Sequence, residues 1–247
     1  VSTIGKSMTL TVKICGLSDE ASVDAALGAG VDMVGFVYFE PSPRNISFAQ
    51  GRHLGARVGR RARKVALTVD ADDATLAAII ESLDPDLLQL HGDEGPERIY
   101  AVRSRFGLPV MRALAVRSRA DIDRIPDFDE VADHLLFDAG APEGATRPGG
   151  NGEPFDWRLL RGITTRRPWL LAGGLTGTNV AHAIASTGAQ GLDVSSGVET
   201  SPGRKDPAKI KRFVERAREG YALCRPSRLD RPGRSGRGDV SRGGSQT

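Results

Sequence analysis

Long apolar runs are missing from this 247-residue sequence. No stretch approaches the ~18 consecutive apolar residues of a membrane-spanning helix. Residues 1–8 are polar, with nothing resembling the apolar centre of a secretory signal. Cysteine is scarce: Cys15 and Cys224 are the only two, too few for a disulfide framework. These absences point to a chain in a reducing cytoplasm with no membrane partner. Four scattered histidines, without CxxC or HExxH spacing, leave no legible metal site. Aromatics make up only 5%, which suits a modest aromatic core.

The sequence pI of about 9.1 hints at nucleic acid until the charge is located. Residues 222–247 hold six arginines and two aspartates, a charge of +4 within a chain of +3. Residues 1–221 therefore sum to −1. The basic character belongs to a tail rich in Pro, Gly and Ser that cannot bury a core and is expected to be disordered. No nucleic-acid partner is expected of the folded part, although such a tail can hold an anionic surface weakly.

Residues 9–220 alternate apolar runs with amphipathic segments. Strand patterns cover 10–15, 32–38, 64–69, 87–91, 109–115, 134–138, 169–172 and 191–195. Helical patterns cover 19–29, 47–58, 74–83, 94–106, 120–125, 155–160, 179–187 and 206–219. Ser18, Ser47 and Asp206 are the expected N-caps of three of them, and Pro96 and Pro207 fall in first turns, where proline is tolerated. Strict β–α alternation implies parallel strands with helical crossovers. Eight such units in one domain match a (β/α)8 barrel, which typically needs about 250 residues. An open doubly wound sheet is the alternative; against it, the first βα turn reads Cys15-Gly16-Leu17-Ser18 and not a glycine fingerprint for a dinucleotide.

On a barrel, residues that end strands and open βα loops share one face, and that face is the catalytic rim. Here it collects Cys15, the loop 39–45 with Arg44, Asp70, Gln89 and His91, Arg112 within strand five, Asp138, Gly173-Gly174, and Ser195-Ser196-Gly197. The loops after strands seven and eight of barrels often hold a phosphate. Gly173-Gly174 lets backbone N–H groups approach an anion without obstruction, and 149–152 adds a third glycine-rich loop. Arg44, stiffened by two nearby prolines, suits a carboxylate grip. Asp138 ends an apolar strand, where partial desolvation favours the acid form. His91 is either a rim ligand or a hydrogen-bonded core histidine. Asp193 either binds hydroxyls or braces the barrel. Lys13, two residues before Cys15 and so on the same strand face, is expected to favour the thiolate.

Taken together, these stretches resemble the phosphoribosylanthranilate isomerases of tryptophan biosynthesis. The matching segments are Val12-Lys13-Ile14-Cys15-Gly16-Leu17, Gly35-Phe36-Val37 through Ser42-Pro43-Arg44-Asn45-Ile46-Ser47, Leu88-Gln89-Leu90-His91-Gly92 and Leu136-Phe137-Asp138. They continue with Gly150-Asn151-Gly152, Phe155-Asp156-Trp157, Leu171-Ala172-Gly173-Gly174-Leu175 and Asp193 to Glu199. The resemblance implies an Amadori rearrangement, an intramolecular aldose–ketose oxidoreduction, with no cofactor. Asp138 would be the general acid and Cys15 the general base. Arg44 would bind the anthranilate carboxylate. Gly173, Gly174, Ser196 and Gly197 would bind phosphate, and Gln89, His91 and Asp193 would complete the substrate contacts. The implied partner is this small molecule, and the implied assembly a monomer or homodimer. Asn151 stands where Ser or Thr is frequent, and the basic tail lies outside the resemblance. The related sugar-phosphate isomerases of histidine biosynthesis carry an aspartate where Cys15 stands; here strand four also ends Gln-Leu-His-Gly and not in a phosphate loop. The segment 140–153, long and glycine-rich, is a candidate lid.

Overall fold

The computed structural model describes residues 9–139 and 155–224. In chain order the elements are β1 (Thr11–Cys15), α1 (Glu20–Gly28), β2 (Met33–Tyr38), α2 (Phe48–Val58), β3 (Arg63–Thr68), α3 (Asp73–Leu83), β4 (Leu87–Leu90) and α4 (Pro96–Phe106). There follow β5 (Val110–Val116), α5 (Arg119–Asp123), α6 (Ile125–Asp129), β6 (His134–Ala139), a 3₁₀ turn at Trp157–Leu160, β7 (Trp169–Leu171), α7 (Val180–Thr187) and β8 (Gly191–Val194). A 3₁₀ turn at Ser196–Val198, a hairpin of β9 (Glu199–Ser201) and β10 (Arg204–Lys205), and α8 (Pro207–Leu223) complete the chain. β1 to β8 pair in parallel in chain order, and β8 returns to β1, so the sheet is a closed barrel.

Successive side chains of a strand point to opposite faces. Outward residues such as Val34, Phe36, Ala66, Leu88, Leu135 and Phe137 pack beneath the helices in one large core. Inward residues Met33, Val65, Leu87, Met111, Ala113, Leu136, Leu170 and Ala172 form a second core that fills the barrel. With both faces covered, the strands read as nearly continuous apolar runs. Among the polar exceptions inside the barrel, Lys13 on β1 and Asp193 on β8 are both buried and opposite each other in register. A buried charge is tolerated only when paired, and these two pair with each other.

The helix ends follow local chemistry with one change from expectation. α1 is capped by Asp19, whose carboxylate accepts from Ser22 N at 2.9 Å; Ser18 stands one residue too early. Ser47 caps α2 in a reciprocal box with Gln50, and Asp206 caps α8. The weak helical pattern at 120–125 resolves into two five-residue helices, α5 and α6. The last helix runs past 219 to Leu223. The tail from 225 on and the candidate lid with its glycine loop lie outside the described residues. Among the described residues, no helix is long and apolar enough to cross a membrane.

Candidate active site

The inward parity of the strands carries the barrel floor up to the rim. Two positions beyond Lys13 is Cys15, and two beyond Leu136 is Asp138. Beyond Leu87 come Gln89 and His91, and beyond Gly191 come Asp193 and Ser195. These side chains therefore rise into one lumen at the C-terminal ends of the strands. β1 and β6 are separated by β7 and β8, so Cys15 and Asp138 face the lumen from different sides. Both are nearly closed to solvent, at 3% and 6% exposure.

Around the thiol, Lys13 Nζ donates to Asp193 Oδ1 at 3.0 Å. The β2 residue beside Cys15 in register is Gly35. A Cβ there would lie 2.9 Å from Cys15 Sγ and 3.1 Å from Lys13 Nζ, so glycine makes room for both groups at one spot. Burial alone would depress Lys13, but Asp193 and Cys15 outweigh it and its pKa rises above the ordinary lysine value. Lys13 does favour the thiolate, as expected, but it does not decide the net direction. Burial pushes the Cys15 thiol up, Lys13 and Lys205 pull it down, Asp193 pushes it further up, and the net direction is upward. Burial disfavours the thiolate more than the two lysines favour it.

Arg44 is not a solvated arginine. Its Nε and Nη2 donate to the two oxygens of Glu199 at 2.7 and 2.9 Å. Lys205 Nζ donates to the same carboxylate at 2.7 Å and to Ser195 O at 3.0 Å. All three charged groups are buried. Burial alone would raise Glu199, but the hydrogen bonds from Arg44 and Lys205 leave its pKa lowered. Lys205 is lowered by burial despite Glu199. The carboxylate grip expected of Arg44 thus exists with a carboxylate of this chain. Glu199 and Lys205 were missed as site residues. Glu199 fell within a recognised stretch, but nothing in the sequence pairs it with a residue 155 positions earlier.

Around the carboxyl, Asp138 Oδ1 accepts from Ala139 N at 2.8 Å. Oδ2 lies 3.4 Å from His91 Nε2. His91 Nδ1 lies 3.3 Å from Gln89 Nε2. His91 is therefore at the rim, in line with the carboxyl, and Gln89 is fully buried beneath it. The loop carrying His91 is pinned: Gly92 N and Asp70 N donate to Glu94 at 2.8 and 3.0 Å, and Asp70 Oδ1 accepts from Asp93 N at 2.7 Å. Arg112 lies on the outer side of β5, where it donates to Glu94 at 2.8 Å and sits 5.4 Å over the Phe128 ring. It leaves the lumen and braces the His91 loop from behind.

At the ends of β7 and β8, Gly173 and Gly174 take φ of +81° and +63°. A Cβ on Gly173 would sit 2.5 Å from Ala139 N and 3.1 Å from Asp138 Oδ1. The backbone here turns in a conformation open to glycine and lies directly against the carboxyl of β6. Ser196 begins its 3₁₀ turn one residue beyond the end of β8, with Ser195 between. Among the described residues no group of three or more His, Cys, Asp and Glu could hold a metal ion.

A thiol and a carboxyl face one (β/α)8 lumen beside a glycine- and serine-lined βα face, and the closed parallel barrel defines the class of protein. The family model for N-(5'-phosphoribosyl)anthranilate isomerase matches residues 12–216. The chain belongs to that family. It is 59% identical over 212 residues to the N-(5'-phosphoribosyl)anthranilate isomerase of Beijerinckia indica, covering 86% of this chain and 96% of that one. The crystal structure of phosphoribosyl anthranilate isomerase from Thermotoga maritima superposes with a TM-score of 0.77 at 32% identity, covering 85% of this chain and all of that one. A related isomerase solved with reduced 1-(o-carboxyphenylamino)-1-deoxyribulose 5-phosphate superposes at 0.74 and 29% identity, with 85% of this chain and all of that one covered.

Proposed function

We propose that this chain catalyses the Amadori rearrangement of N-(5-phosphoribosyl)anthranilate to 1-(2-carboxyphenylamino)-1-deoxyribulose 5-phosphate in tryptophan biosynthesis. The observation that carries the reading is the placement of Cys15 and Asp138 over one lumen, with the β7 and β8 loops beside them.

Asp138 is the general acid. It gives its proton to the ribose ring oxygen, the C1–O bond breaks, and the anthranilate nitrogen forms a protonated Schiff base with C1. Cys15 is the general base and removes the proton from C2, leaving an enolamine that tautomerises to the ketone. A buried thiol with a raised pKa is a poor base by itself. The cationic Schiff base changes that, because a nearby positive charge favours thiolate. Lys13 supplies a second positive charge, held in place by Asp193. Acid and base work on the same sugar from different walls, as acid–base catalysis near neutral pH requires.

Gly173, Gly174, Ser196 and Gly197 hold the 5-phosphate, with backbone N–H groups as donors. Arg44, oriented by Glu199, faces the anthranilate carboxylate. His91 and Asp193 line the sugar, and Gln89, the third expected contact, supports His91 from beneath. The barrel 9–220 is the catalytic domain. The setting is the cytoplasm, where Cys15 stays reduced, and the assembly is a monomer or homodimer. The test is the decay of phosphoribosylanthranilate fluorescence with the wild type, Cys15→Ala and Asp138→Asn. Each variant is expected to lose at least ~10²-fold in rate; near-wild-type rates in both would remove the mechanism.

A further inference from the structure

Lys205 reaches the site from the short β9–β10 hairpin, with its side chain fully shielded from water. Its ammonium donates to Glu199 Oε1 at 2.7 Å, to Ser195 O at 3.0 Å and to Ser195 Oγ at 3.1 Å. That uses every donor an ammonium has. We infer that Lys205 is a positioning residue that couples the two ends of the substrate site. One group holds both the carboxylate that orients Arg44 and the residue from which the Ser196 turn starts. This deepens the isomerase reading above and rests on it.

The hairpin is shaped to deliver that group. Lys205 lies across from Glu199 in antiparallel register. Pro202 and Gly203 turn the chain between them, a pair suited to a tight turn, with Gly203 at φ +82°. A Cβ on Gly203 would lie 2.4 Å from Pro43 O, so the hairpin tip rests against the loop that carries Arg44. Gly203 N donates to Glu199 Oε2 at 3.3 Å, and Lys209 Nζ to Glu199 O at 2.6 Å. Glu199 is thus fixed from its own hairpin and from α8 while its two oxygens hold the Arg44 fork.

Ser195 is the residue between β8 and the turn at Ser196–Val198. A Cβ on Gly16 would sit 2.5 Å from Arg44 Cδ and 3.2 Å from Ser195 Oγ. The Arg44 stem and the Ser195 hydroxyl therefore meet over the turn that follows Cys15, and a displaced Lys205 frees both. Methionine at 205 strands no charge, because Glu199 keeps the Arg44 fork; what is lost is the link. Arginine keeps the charge, but its planar fork cannot copy three bonds made by one nitrogen.

The test is calorimetric titration of the full chain with two compounds. Inorganic phosphate probes one end of the site; reduced 1-(o-carboxyphenylamino)-1-deoxyribulose 5-phosphate carries both ends. The wild type is compared with Lys205→Met, Lys205→Arg and Glu199→Gln, with urea midpoints to show that each is folded. Lys205→Met should weaken phosphate about fivefold or more, the worth of one net hydrogen bond, and the two-ended compound about twentyfold or more, since both ends loosen. Lys205→Arg should weaken both compounds in the same order. Glu199→Gln should weaken the two-ended compound about fivefold but leave phosphate within about twofold, because Lys205 still holds Ser195. Unchanged phosphate affinity in Lys205→Met, a lowered urea midpoint with both affinities intact, or full recovery of both in Lys205→Arg would overturn the coupling. A wild type that binds both compounds without turning over phosphoribosylanthranilate, while the variants lose affinity in the pattern above, would overturn the isomerase reading and leave the coupling standing.

Discussion

Lys13 and Asp193 form an ion pair inside the barrel, directly beneath Cys15, with Nζ and Oδ1 3.0 Å apart and the lysine side chain fully shielded from water. Removing one member of a buried pair strands the other charge, at a cost of about 3–5 kcal/mol. Lys13→Met should therefore lower the urea midpoint sharply. The double variant Lys13→Met, Asp193→Leu should recover much of that loss, because a well-packed apolar replacement of both members is often near neutral. Equal destabilisation of single and double variants would show that the pair's environment, and not its charge balance, sets stability. The double variant should still be slow as an isomerase, since the cation with the larger pull on the thiol is gone.

The same neighbourhood makes a prediction about pH. The Cys15 pKa is raised in the folded chain by burial. Its contribution to stability is thus fully present below the unfolded thiol value, ~8.5, and is lost as pH rises toward the higher folded value. Urea midpoints of the wild type should fall between about pH 7 and about pH 10 more steeply than those of Cys15→Ser, which has no thiol to ionise. Alkylation adds a kinetic check. Cys224 is exposed and Cys15 buried, so iodoacetamide should label Cys224 first, with Cys15 reacting slowly and only at alkaline pH. Rapid labelling of Cys15 at neutral pH would mean the thiolate already dominates without substrate being added.

Arg44 and Glu199 give the third prediction. The guanidinium is held in a two-point fork by Glu199, and Lys205 shares the carboxylate. Arg44→Lys keeps the charge but loses the fork, so KM should rise about tenfold or more, the value of roughly one charge-assisted hydrogen bond. Glu199→Gln should raise KM as well, because Arg44 loses its orientation. Steady-state kinetics on phosphoribosylanthranilate decide it. A fall in kcat with unchanged KM in both variants would take Arg44 away from the anthranilate carboxylate.

The alternation of strands and helices was readable because parallel strands covered on both faces are apolar throughout, and residues such as Val34, Val65 and Leu136 announce it. The rim was readable because its residues end strands: Cys15 closes the first strand pattern and Asp138 the sixth. What stayed hidden was long-range. Arg44 with Glu199, Lys13 with Asp193 and His91 with Asp138 meet only because the barrel closes. The β9–β10 hairpin that delivers Lys205 is too short and polar to show a strand pattern. The sign of the Cys15 shift was hidden for a different reason. A neighbouring lysine is visible in sequence, but burial, which decides the outcome, is a property of the whole packed lumen.

Gly173 ties the glycine turn after β7 to the Asp138 carboxyl. It turns with φ +81°, and a Cβ there would press on Ala139 N at 2.5 Å and come within 3.1 Å of Asp138 Oδ1. Gly173→Ala should thus act in two ways. The left-handed backbone costs a non-glycine residue about 1–2 kcal/mol. The clash with Ala139 also disturbs the N–H that Asp138 Oδ1 accepts. Inorganic phosphate, used as a competitive inhibitor, should bind at least about fivefold more weakly to the variant, and kcat should fall with it, since ~1 kcal/mol is roughly fivefold in affinity. The comparison that isolates the acid is Gly174→Ala, whose glycine is also at positive φ. That variant should weaken phosphate with a smaller effect on kcat. If the two variants lose kcat equally, the contact between the β7 turn and Asp138 has no part in catalysis. If neither weakens phosphate, the anion sits elsewhere on the rim.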